Sequence, residues 1–89
     1  MKKILIVEDD LLLESLSAEK LGKAGYSVVA AATVADALKK LEEQPEAVLL
    51  DLLLPDGDGL TVLEAIRKHP DLKMVPVVVF SNLSDEAML

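Results

Sequence analysis

Four short apolar runs recur along the chain, at Ile4–Val7, Tyr26–Ala30, Ala47–Leu50 and Val75–Phe80. Each is rich in Val, Ile or Leu and too short for a buried helix, so each reads as a strand. Between them lie segments whose apolar residues return every three or four positions, the spacing of one helix face. The order is β-α-β-α-β-α-β, with the beginning of a further helix. Strict alternation of this kind leaves few solutions. Consecutive strands run parallel, the crossovers are right-handed, and helices cover both faces of one sheet.

The punctuation agrees with that order. Leu12, Leu13, Leu16 and Leu21 recur at helical spacing, and Gly25 stands where a helix stops. Thr33 is a good N-cap, followed by Val34, Leu38 and Leu41 at i, i+4 and i+7, with Pro45 beyond. A third helix is expected over Leu60–Lys68, with Leu63 and Ile66 inward and Arg67-Lys68 complementing the dipole at its end. Pro76 sits near the start of the last strand, where a missing N–H is tolerated. Ser84, ahead of Asp85 and Glu86, is expected to cap a further helix.

Within 89 residues only a small core is possible. Aromatic residues are limited to Tyr26 and Phe80, so Leu, Val and Ala must fill it. A net charge of −7 without a Lys/Arg cluster argues against a nucleic-acid partner. With no cysteine, disulfides, thiol catalysis and Cys-based zinc sites are excluded. No apolar run approaches the length of a membrane span, and acids arrive at Glu8, too early for a signal peptide. A cytoplasmic protein is the expectation.

One residue stands out against the apolar pattern. Leu49 and Leu50 read as a strand covered on both faces, and Asp51 follows directly. Burying a carboxylate within such a strand is costly, so Asp51 belongs at its carboxyl end, where open α/β sheets bind their ligands. Glu8, Asp9 and Asp10 follow the first strand and Ser81 follows the fourth, so all of these share one sheet edge. Carboxylates brought together repel unless a cation sits among them. Ligation by oxygen alone suits Mg²⁺, especially beside a phosphate, and a serine hydroxyl could hydrogen-bond a phosphoryl oxygen. That chemistry suits Asp51 as a nucleophile forming an aspartyl phosphate. The blander reading, in which acids after strands cap the next helix, fits Asp10. Asp56-Gly57-Asp58-Gly59 hints at a calcium loop, but with Gly59 at the sixth position the first and twelfth would be Leu54 and Ala65. His69 reads as a solvated residue at a helix end.

These residues closely resemble the receiver domain of bacterial two-component response regulators. Ile4-Leu5-Ile6-Val7-Glu8-Asp9-Asp10 is similar to that family's first strand and acidic pair. Asp51-Leu52-Leu53-Leu54-Pro55, with Asp58-Gly59, is similar to its phosphoacceptor strand and loop, and Phe80-Ser81 to the end of its fourth strand. The resemblance implies a flavodoxin-like, doubly wound parallel sheet and phosphoryl transfer to Asp51 from a histidine kinase or a small phosphodonor. It implies Mg²⁺ held by Asp9, Asp51 and the backbone carbonyl of Leu53, with Glu8 acting through a metal-bound water. Ser81 would hydrogen-bond the phosphoryl group. Such a module accepts a phosphoryl group and is not a turnover enzyme.

The family continues into a completed fourth helix, a fifth strand bearing an essential Lys, and a fifth helix, none of which these 89 residues reach. The expectation is a single shortened domain over residues 1–89, with four strands in the order 2-1-3-4, three full helices and the start of a fourth. Phosphorylation would be impaired by the missing Lys, for which Lys73, at the opposite sheet edge, is no substitute. The uncovered fourth strand would favour a homodimer or swapped oligomer. Two other readings are a non-signalling, self-associating fragment and a metal-dependent phosphohydrolase. The latter typically has a second Asp two residues after the nucleophile, where this chain has Leu53.

Overall fold

A computed structural model describes residues 2–80. The expected helix after Ser84, and Ser81 itself, lie outside the described residues. The elements are β1 (Lys3–Val7), α1 (Leu11–Lys23), β2 (Ser27–Ala31), α2 (Val34–Lys40) with a 3₁₀ turn over Leu41–Glu43, β3 (Ala47–Asp51), β4 (Leu53–Leu54), β5 (Gly57–Asp58), α3 (Leu60–Lys68) and β6 (Val77–Phe80). Four strands form one sheet in the order β2-β1-β3-β6. All three pairings are parallel, so the expected order is realised with β6 in the fourth place.

Topology then fixes the layers. The chain steps outward from β1 to β2, and back across β1 to β3 and β6. Right-handed crossovers therefore put α1 on one face and α2 with α3 on the other. The main core lies on the second face, where Leu5, Val7, Val48 and Leu50 pack with Val34, Ala37, Leu41, Val62 and Ile66. Ile4 and Ile6 are buried too, and by strand alternation they point to the α1 side.

The start of α1 is capped as its sequence suggests, with Asp10 Oδ1 accepting from Leu12 N–H at 2.9 Å and Leu13 N–H at 3.1 Å. Its end is a Schellman turn. Gly25 takes φ +97°, its N–H donates to Gly22 O, and Tyr26 N–H donates to Leu21 O at 3.0 Å. Tyr26 thereby spends its donor on the helix, and β2 begins one residue later than expected. Similarly, Val75 N–H is used by Leu72 O, and β6 begins at Val77 instead of Val75.

The largest departure concerns α1, none of whose residues is fully buried. Leu12 and Leu16, which recur at helical spacing, are 68% and 48% exposed. The helix spans only the β1–β2 half of its sheet face, and Leu49, expected to be covered, is only half-buried. In α2 the buried positions are Val34 and Ala37, followed by Leu41 in the 3₁₀ turn, while Leu38 lies at the rim.

Candidate functional site

The order in which strands are added reverses between β1 and β3, the topological switch point at which open α/β sheets form a crevice at the strands' carboxyl ends. Glu8 follows β1 directly, and its N–H donates to Ala31 O at 2.9 Å, which extends the ladder with β2 by one residue. Asp51 is the last residue of β3, in register with Phe80 of β6. Asp51 is fully buried, Glu8 almost so, and Asp9 exposed. One carboxylate oxygen from each of Glu8, Asp9 and Asp51 lies within 4.8 Å of the others. The three acids that the sequence put at one sheet edge therefore converge, while Asp10 is drawn off to cap α1.

Backbone donors orient both buried acids. Asp10 N–H donates to Glu8 Oε2 at 3.2 Å, and Leu53 N–H donates to Asp51 Oδ1 at 3.2 Å. These short turns fix each carboxylate relative to its own backbone. Leu53 lies immediately beside the site through that bond. His69 is not part of it. Its ring follows α3, and its Nδ1 accepts from Asp71 N–H at 3.1 Å.

The donor set can be tested against a cation without assuming one. Carboxylate oxygens alone, two buried and one facing solvent, match a hard divalent ion that retains water, and no His or Cys donor is present for a softer one. The residues fit Mg²⁺. Ser81, expected at the same sheet edge, lies outside the described residues.

Sequence reasoning overlooked the connection from β3 to α3. It is not an open loop but a two-stranded antiparallel ribbon, β4 and β5, with Pro55-Asp56 at its tip. The tip is fastened across 22 positions of sequence, for Asp56 Oδ1 accepts from Val34 N–H at 2.7 Å and Asp56 Oδ2 from Ala35 N–H at 3.0 Å. These are first-turn donors of α2 that lack helical partners. Thr33 Oγ1 serves the next one, from Asp36, at 3.0 Å. The base of the ribbon is tied by Asp58 Oδ1, which accepts from Leu60 N–H at 2.9 Å. Pro55-Asp56-Gly57 reads as a turn in the sequence, but nothing local marks Asp56 as the cap of an earlier helix.

Those bonds from Val34 and Ala35 hold the Asp56 carboxyl below its ordinary value of 3.8. Because the folded state prefers the carboxylate, its contribution is complete above the unfolded-state value near 4 and disappears as pH falls through the lower folded value. Asp56→Ala is thus expected to lower the urea midpoint at about pH 7, with the deficit shrinking below about pH 4. Equal deficits across that range would remove the carboxylate charge from the explanation.

The fold and crevice define a class, a flavodoxin-like α/β domain with an acid-lined site where the strand order reverses. A family model for the response regulator receiver domain matches residues 4–89. The chain belongs to the response regulator receiver domain family, the signalling modules of two-component systems. It is 36% identical over 87 residues to the transcriptional regulatory protein GltR of Pseudomonas aeruginosa, covering 97% of this chain and 36% of that protein. The chain thus spans about a third of that relative's length. Among solved structures, it matches the BeF3-activated N-terminal receiver domain of Klebsiella pneumoniae RstA with TM-score 0.82 and 35% identity, covering 97% of this chain and 73% of that one. The chemotaxis response regulator CheY4 of Vibrio cholerae gives TM-score 0.87 at 27% identity, covering 98% of this chain and 74% of that one. Among the described residues, no helix is long and apolar enough to cross a membrane.

Proposed function

We propose that this domain accepts a phosphoryl group on Asp51, with Mg²⁺ held by Asp9, Asp51 and the Leu53 carbonyl, and Glu8 reaching it through water. The observation that carries the reading is the convergence of the Glu8, Asp9 and Asp51 oxygens around the buried end of β3. A carboxylate oxygen of Asp51 attacks phosphorus and forms a P–O bond. The bond from phosphorus to the donor breaks, and its electron pair leaves on the donor's imidazole nitrogen or acyl-phosphate oxygen. The cation, when bound, neutralises charge on the transferring group. Glu8 and Asp9 hold the negative field that draws it in, and the Leu53 N–H fixes the Asp51 carboxylate for attack. Ser81 is proposed to hydrogen-bond the phosphoryl oxygens. A histidine kinase is the proposed natural donor, by family membership, and the cytoplasm the proposed location of this domain.

The reading is tested by incubating the chain with a small acyl phosphate and Mg²⁺ and measuring intact mass. One phosphoryl adduct is expected, absent in Asp51→Asn. No adduct at saturating donor would favour a non-signalling role.

A second observation supports self-association of the 89-residue chain. Among the described residues, β6 is paired on one side only, and its Val78 is 58% exposed. An apolar strand edge of this kind is a template for a second copy. The apparent mass in light scattering is expected to rise with concentration, more so at high salt, where repulsion between copies of net charge −7 is screened. Val78→Lys is expected to return the monomer mass. A monomer mass throughout the series would rule the association out.

A further inference from the structure

We propose that Gly59 is a positioning residue of the acidic site, and that its lack of a side chain keeps the Asp51 carboxylate in register with Glu8 and Asp9. The inference rests on the metal-site reading above and extends it to a residue outside the ligand set. Gly59 is buried at the start of α3, with φ −57°, a conformation open to any residue. Backbone freedom is therefore not what it provides. What matters is the neighbouring atoms. A Cβ at this position would collide with the Asp51 carbonyl oxygen, and would lie 3.0 Å from Leu52 Cα and 3.1 Å from the Asp51 carbonyl carbon.

All three are backbone atoms of the segment that carries the candidate nucleophile, and no side chain is available to swing aside. Nor can either partner retreat freely. Gly59 N–H donates to Leu52 O at 2.8 Å, while Gly59 O accepts from Val62 N–H at 2.9 Å and Leu63 N–H at 3.1 Å. Val62 and Ile66 then anchor α3 in the core. On the other side, β3 lies between β1 and β6, and Leu52 N–H donates to Phe80 O at 3.1 Å. Between a helix fixed by its core residues and a strand fixed by its neighbours, an added methyl group must displace the Asp51–Leu52 peptide. Glu8 and Asp9 stand at the end of a different strand and do not follow. The displacement therefore falls on the spacing between the carboxylates.

The test compares Gly59→Ala with two glycines at which an added Cβ meets no backbone atom. At Gly22 an added Cβ meets no atom within 4 Å. Gly57 shares the β3–α3 connection, and its φ of +155° strains any side chain placed there, but its Cβ would touch only Val34 Cγ2, at 3.5 Å. Parent and variants are titrated with Mg²⁺ and followed by backbone NMR, with amide exchange read at Leu52 and Leu53. Gly59→Ala is also made in a Gly22→Ala background, which replaces a helical glycine by a better helix former.

The expected result is a loss of Mg²⁺ affinity of about tenfold or more in Gly59→Ala, the scale of other residues that orient metal ligands. Exchange at Leu52 and Leu53 should rise in that variant. Gly22→Ala should retain affinity within about twofold, and Gly57→Ala, which strains the same connection without touching the Asp51–Leu52 peptide, should lose less than Gly59→Ala. Parental affinity in Gly59→Ala, or an equal loss in Gly57→Ala, overturns the proposal. So does a Gly59→Ala chain that stays unfolded in the Gly22→Ala background, since Gly59 would then be a determinant of the fold and not of the site. If the parent itself shows no Mg²⁺ response, the metal-site reading fails separately. Exchange at Leu52 and Leu53 then decides for Gly59 alone, faster exchange supporting the positioning role and unchanged exchange overturning it.

Discussion

Asp51→Asn is expected to melt above the parent chain in metal-free buffer, and at a temperature that Mg²⁺ no longer moves. Asp51 is fully buried, with Glu8 and Asp9 oxygens within 4.8 Å. Two like charges at that distance repel by roughly 3 kcal/mol at an effective dielectric of about 20. Asn removes the charge at nearly constant shape, and its amide oxygen can still accept from Leu53 N–H. A gain on the order of 1–3 kcal/mol follows, and each 1 kcal/mol shifts the midpoint of a domain this size by about 4–8 °C. The parent should instead gain from the cation, by about 2.7 kcal/mol at a hundredfold excess over its dissociation constant. Calorimetry with and without Mg²⁺ reads both effects. A variant that still responds to Mg²⁺ like the parent would put the cation somewhere other than this crevice.

The second large effect concerns Leu50, one residue before the site. Its side chain is wholly buried between β1, β6 and the helices of the main core. Leu50→Ala removes that packing and leaves a cavity, at a cost of about 2–5 kcal/mol. Domains of this kind have only about 0.05–0.15 kcal/mol of stability per residue, and the thin cover on the α1 face argues for the lower part of that range. Leu50→Ala is therefore expected to leave much of the population unfolded at room temperature. Leu12→Ala makes the same chemical change at a largely exposed position and should cost less than about 0.5 kcal/mol. Denaturant midpoints of the two variants measure the contrast directly, and similar values would contradict the placement of the core.

These two leucines also show what could be read in advance. Leu50 stands within a continuous apolar run, where burial follows whichever face is considered, and the alternation of such runs with helical segments dictated the parallel sheet. Asp51, Glu8 and Asp9 were legible because a charge at the end of a buried strand has few places to go. Leu12 misled because helical spacing reveals which residues share a face, but not whether anything packs on that face. Asp56 and Gly59 were illegible for another reason. One caps a helix 22 positions earlier, and the other touches a peptide eight positions away. Neither contact leaves a local signature beyond turn-forming residues. The β4–β5 ribbon belongs with them, since two-residue strands have no periodicity to detect.

The placement of β1 inside the sheet bears on how the chain is made. β1 is flanked by β2 and β3, yet β3 begins roughly 40 residues after β1 ends. At about 5–20 residues per second, a ribosome takes several seconds to supply that second neighbour. During this interval Ile4, Leu5, Ile6 and Val7 have β2 on one edge and nothing on the other, and Leu5 and Val7 have no α3 beneath them. The nascent strand that will carry the acidic pair is thus the one that waits longest for shelter. Its open edge is closed to other chains on crowded polysomes only when the strand ending at Asp51 has been synthesised and the two halves of the site can meet, and its core face only after α3 follows.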